Sequence, residues 1–136
     1  MSDSPESVAQ AFVCAINRQD VDALAGLMAA QPRFVDSLGN VVEGREKMRA
    51  GWAGYFRMVP DYAIAVEETL RDGPVVLMLG VAEGTYAPHG NLKAENRWKT
   101  PIALRAQVED GLVAEWRVYA DNEPIRQHMR KSGKEG

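Results

Sequence analysis

The sequence predicts an α+β fold: a curved antiparallel sheet packed on about three N-terminal helices. Three observations predict it. Apolar residues recur at helical spacing as far as Pro60. Beyond Pro60 the period falls to two, as in half-buried strands. The turn signals "RDGP" and "EDG" then separate long alternating runs, which favours antiparallel neighbours.

The elements follow in order. Ser4 can cap a first helix, Pro5 suits its first position and Glu6 complements its dipole. Val8, Ala11, Phe12, Ala15 and Ile16 form its apolar stripe. Asp20 caps a second helix with the stripe Val21, Leu24, Leu27 and Met28, and Pro32 closes that segment. A short strand at Phe34 to Asp36 runs into a turn at Gly39-Asn40. Gly44 opens a third helix carrying Met48, Trp52, Tyr55, Phe56 and Val59, and Pro60 ends it.

Four strands follow. "YAIAVEETLR" places Tyr62, Ile64, Val66 and Leu70 on one face, and "VVLMLGVAEGTY" contains two glycines suited to a bend. "RWKTPIALRAQV" and "LVAEWRVYAD" form a hairpin across "EDG", and Pro124 to Arg130 has room for one or two helical turns. With no internal repeat and no linker, one domain accounts for the chain, its core at about 7–121 and a C-terminal tail at 122–136.

Composition narrows the function. The 136 residues are 46% hydrophobic and 26% charged, with a net charge of −3, a soluble globular balance without a general grip on nucleic acid or anionic membranes. The one basic cluster, "RQHMRKSGK", is short and terminal. One cysteine, Cys14, excludes an internal disulfide, and His89 and His128 alone provide no metal-ligand spacing. The first ten residues lack the basic and apolar regions of a secretory signal, and no apolar run reaches the ~20 residues of a membrane span. The expectation is a cytoplasmic protein without metal or cofactor.

The segments "QDVDALAGLMA", "FVDSLGNVVEGREKMRAGW" and "VEDGLVAEWRVYAD" together resemble the nuclear transport factor 2-like superfamily, in particular its SnoaL-like and ketosteroid-isomerase-like branches. The resemblance spans about Ser7 to Asp121. It implies a cone-shaped sheet of the cystatin-like roll type around an apolar cavity, and hence a small apolar ligand. Residues expected to line that cavity are Phe12 on the first helix, Met28 at the end of the second and Trp52 on the third. By strand parity, Leu104, Ala106, Trp116 and Val118 join them. His89 in "YAPHGN" can reach the cavity mouth, or stand in solvent.

Asp36 has two readings. It matches the general base of ketosteroid isomerases, after two strand residues and before a glycine turn; equally, an aspartate there can accept backbone N–H groups and shape "SLGN". The oxyanion donors that such isomerases need are missing: Phe12 stands where the resemblance expects a tyrosine, and Leu104 where it expects a carboxylic acid. Losing one such donor costs ~100–1000-fold in rate, so isomerase or cyclase chemistry of the usual kind is not expected. No Arg-x-Asp pair lies on the strand where the epoxide-hydrolase arrangement would place it, and Cys14 reads as a small buried residue. The resulting expectation is a small-molecule pocket protein, with weak isomerase, cyclase or hydrolase chemistry through Asp36. The alternative is a non-catalytic binding or homodimeric domain, joined through a sheet face bearing Val113, Arg117 and Tyr119.

Overall fold

A computed structural model describes residues 4–121 and 123–135. Helix α1 runs from Pro5 to Arg18, α2 from Val21 to Gly26 and α3 from Arg45 to Met58. The strands are β1 (Met28–Val35), β2 (Val41–Glu43), β3 (Ala63–Asp72), β4 (Val75–Thr85), β5 (Arg97–Glu109) and β6 (Leu112–Ala120). A C-terminal helix, α4, occupies Glu123–Glu135. Among the described residues no helix is long and apolar enough to cross a membrane.

The caps act as the sequence indicates. Ser4 Oγ accepts the Ser7 N–H and Asp20 Oδ1 accepts the Ala23 N–H. Between these helices Gln19 adopts the left-handed conformation at φ 57°. Its side-chain amide donates to the Pro60 carbonyl at 2.6 Å, which ties the end of α1 to the chain leaving α3. Asn17 clamps edge strand β3, donating to the Ile64 carbonyl at 3.0 Å and accepting the Ile64 N–H at 2.8 Å.

All six strands form one sheet in the order β2-β1-β6-β5-β4-β3. This corrects the expected cone-shaped antiparallel sheet. β1 pairs with β6 in parallel, while β2 and β3 stand at opposite edges and do not meet. The sheet is therefore mixed and open, neither closed nor strongly curled. Edge strand β3 exposes Glu67, Glu68, Arg71 and Asp72, charges that discourage pairing with another chain.

Three local expectations also change. Helix α2 stops at Gly26, so Met28 is the first residue of β1 and Pro32 lies inside that strand rather than closing a helix. The strand tolerates the proline because it is irregular there: β1 advances from Met28 to Arg33 while β6 advances only from Val113 to Glu115. In β3 the extra residue Glu67 shifts the alternation beyond Val66, so Leu70 leaves the face of Ile64 and is exposed; Val66, ahead of the shift on the edge strand, is exposed as well. In β6 the extra residue Ala114 shifts parity, so Val113 is fully buried in the core and not on the outer face with Arg117 and Tyr119.

The core lies between the helices and one sheet face. Trp116, Phe12, Ile16, Leu24, Met28 and Met78 are its largest fully buried side chains. The Phe12 and Trp116 rings lie 4.3 Å apart at 32° and occupy the space between α1 and the sheet. Ile125 brings α4 into the same core.

Candidate functional site

A cavity of about 250 Å³ opens beside α3. Five of its lining residues, Lys47, Met48, Gly51, Trp52 and Tyr55, come from that helix, at the three- and four-residue spacing that builds one helical face. A Cβ on Gly51 would meet nothing within 4 Å, so the missing side chain leaves that part of the wall open. Phe34 and Val42 contribute from β1 and β2, Val118 from β6, and Tyr62 from the turn before β3. Asp36 and Ser37 stand where the chain leaves β1.

The wall is mainly aromatic. Phe34 and Trp52 meet edge-on at 5.7 Å and 77°, and Trp52 leans on Phe56 at 5.6 Å. Tyr55 and Tyr62 form a second edge-on pair at 5.0 Å and 89°. Tyr62 is held in place by its neighbours. Asp61 accepts both the N–H and the hydroxyl of Thr85, each at 2.7 Å, fastening the turn to the end of β4. Gly84 permits the close approach, since a Cβ there would lie 2.4 Å from Val59 Cγ1. Burial pushes both phenols well above the ordinary tyrosine value, and the neighbouring Tyr62 adds to the shift of Tyr55. At neutral pH both carry their protons.

Asp36 lines the cavity and shapes the turn at once. Its Oδ1 accepts the N–H groups of Leu38 and Asn40, each at 2.9 Å, and Oδ2 accepts the Asn40 side-chain amide at 3.1 Å. Partial burial raises its pKa, but the hydrogen bonds from Asn40, Leu38 and Gly39 outweigh burial and hold it below 3.8. The sign for stability follows. A folded pKa below the unfolded one makes a contribution that is present above pH 3.8 and is lost as pH falls through the lower folded value. Asp36→Ala is expected to cost about 1 kcal/mol at pH 7, as for a lost helix cap, and less at pH 3. Urea denaturation at the two pH values measures the difference, and equal losses would show that the charge plays no part.

Of the residues expected in the wall, Trp52 and Val118 line the cavity, with Asp36. Phe12, Met28, Leu104, Ala106 and Trp116 are elsewhere, in the solid core, each at most 1% exposed. The physical reason is the Phe12–Trp116 stack, which fills the space under α1 and leaves the hollow nearer to α3. His89 is exposed on its loop and is not part of the wall. Phe34, Val42, Lys47, Met48, Tyr55 and Tyr62 line the cavity without having been expected there. For the helical ones a signal existed, because Met48 and Tyr55 are neighbours of Trp52 on a helix.

The family model for the SnoaL-like domain matches residues 9–116. No curated protein gives a match. Among solved structures, a protein of ketosteroid isomerase-like fold from Catenulispora acidiphila, in complex with trimethylamine, is similar with a TM-score of 0.76 and 21% identity, covering 90% of this chain and 91% of that one. An uncharacterised cystatin-fold protein from Novosphingobium aromaticivorans is similar with a TM-score of 0.70 and 25% identity over 86% and 98%. IdmH from Streptomyces antibioticus, a candidate polyketide cyclase, is similar with a TM-score of 0.77 and 20% identity over 93% and 99%.

Proposed function

The chain belongs to the SnoaL-like domain family, and on that premise we propose that it holds one small, mostly apolar ring molecule in the cavity beside α3. The supporting observation is the wall itself: two edge-on aromatic pairs with Val42, Met48 and Val118, around a hollow of about 250 Å³. That volume lies just under the ~300 Å³ at which ligand pockets usually begin, so the ligand is one or two rings in size. Binding is the principal act in this reading. Asp36 is the carboxylate of the wall, and the hydrogen bonds that stabilise its anion also weaken it as a general base. Proton abstraction through Asp36 is then slow chemistry at best.

A thermal-shift screen with flat ring compounds tests this. A ligand at 100 times its dissociation constant is expected to add about 2.7 kcal/mol of apparent stability. Asp36→Asn is expected to bind the same ligands at pH 7 with little change. If no ring compound moves the melting temperature, the reading fails; if Asp36→Asn abolishes binding or turnover, Asp36 is more than a turn residue.

The outer sheet face favours a second reading, a homodimer. Leu70, Leu77 and Tyr119 line a shallow groove there beside Arg105, and Tyr119 is 46% exposed. Arg117 lies over the Tyr119 ring at 5.0 Å with its Nε buried and unpartnered, while Glu115 supplies the opposite charge on the same face. Two copies related by a two-fold axis would bury the apolar strip and match the charges. Light scattering at micromolar concentration is expected to give twice the mass of one chain, and Tyr119→Glu is expected to halve it.

A further inference from the structure

We propose that the outer face of the sheet carries a phosphate site between Arg105 and Arg117, with Arg33 at its rim. The site is independent of the ring-binding cavity, which takes Val118 from the opposite face of β6. Arg105 and Arg117 are partners in the β5–β6 ladder, so their side chains leave the backbone about 5 Å apart on one face. Like charges set directly opposite one another weaken a sheet. Arg33 of β1 joins them, its partner in register being Glu115.

One carboxylate serves two of these arginines. Glu115 lies 3.3 Å from Arg105 Nη1 and 3.9 Å from Arg33 Nε, while Glu43, across from Arg33 on β2, forms no ion pair with it. Arg105 and Glu115 are only 33% and 20% exposed, so water screens their charges incompletely. Arg117 has no ion pair among the described residues, and its Nε is buried without an acceptor. The Tyr119 ring lies 5.0 Å from its guanidinium carbon. A ring there takes up the face of the guanidinium, not its N–H edge, so the Nη donors are left for a ligand. Three guanidiniums around one carboxylate leave two surplus positive charges, which a phosphate dianion cancels and a carboxylate halves. Guanidinium forks also match phosphate oxygens in pairs. Leu70 and Leu77, in the groove beside Arg105, give an apolar group attached to the phosphate a surface to rest on.

Calorimetric titration of the full chain at pH 8 and constant ionic strength tests the site with inorganic phosphate, phenyl phosphate and acetate. Inorganic phosphate is expected to bind once per chain with a dissociation constant of about 1 mM, within reach of two charge-assisted hydrogen bonds. Acetate is expected to be at least about 10-fold weaker, and Arg117→Met to weaken phosphate by about 10-fold or more. Phenyl phosphate binding tighter than inorganic phosphate assigns the site to phosphate carried on an apolar molecule, and equal affinity assigns it to the free ion; both support it. Thermal melts in dilute chloride buffer give a second reading. Arg117→Met is expected to melt about 3 °C above the wild type there, because it removes an unpaired charge and keeps an apolar stem. A lower melting temperature overturns the premise of unrelieved repulsion. Phosphate affinity unchanged by the substitution, or no heat of binding at 20 mM phosphate, overturns the site. Light scattering in parallel gives the last check: phosphate uptake only as the mass doubles overturns a site complete within one chain.

Discussion

Trp116→Ala is expected to destabilise the fold by about 3–5 kcal/mol, the range for removing a large aromatic from a packed core. Trp116 is 0% exposed and its ring lies 4.3 Å from that of Phe12, so alanine would leave both a void in the sheet layer and an unsupported ring on α1. Domains of this size have about 5–15 kcal/mol in total, and the melting temperature should fall by roughly 10–20 °C. Urea titration of the two proteins measures it. A loss below about 1 kcal/mol would mean that the neighbours collapse into the space and that the stack is not central to the core. Any new void should also draw small apolar ligands under α1, away from the cavity beside α3.

Gly80→Ala should be nearly as damaging, for a different reason. A Cβ at position 80 would stand 2.0 Å from the Ala65 carbonyl oxygen and 3.1 Å from Val66 Cα. These are backbone atoms of the neighbouring strand, beside the extra residue Glu67, and no side-chain rotation can relieve the contact. The expected cost is about 3 kcal/mol or more, at the upper end of overpacking penalties. Gly54→Ala is the control. It lies inside α3, where a Cβ meets only Arg57 Nη2 at 3.6 Å, and it should gain about 0.5–1 kcal/mol. Parallel thermal melts of the two variants should therefore move in opposite directions.

How much of this was legible in the sequence depends on how far apart the deciding atoms are. The Met48, Trp52 and Phe56 stripe is buried as its spacing indicates, because helical periodicity is a local property. The "EDG" hairpin is likewise local: Asp110 and Gly111 take φ 53° and 76°, a turn that joins β5 to β6. The start of β1 was not legible, since Leu24, Leu27 and Met28 fit a helix and only pairing with β6 makes Met28 a strand residue. Parity arguments failed at Val113 and Leu70 because single extra residues, Ala114 and Glu67, carry no signal of their own.

The candidate site divides in the same way. Trp52 and Asp36 could be placed from local pattern. The choice between cavity wall and solid core for Phe12 and Trp116 could not, because it depends on how two distant rings pack. Tyr62 reaches the wall through the Asp61–Thr85 and Gly84–Val59 contacts, which join residues far apart along the chain.

The parallel union of β1 with β6 bears on the order of assembly. Phe34 faces Trp116 across that ladder, so the two halves of the sheet join only through a contact of very long range. Such closures are slow to form, and on a ribosome that supplies roughly 5–20 residues each second the first strand must wait for the last. Val118, which completes the hollow, is itself in that final strand. A nascent chain would therefore carry α3 with its aromatic face bare for several seconds, a window in which chaperone capture competes with folding.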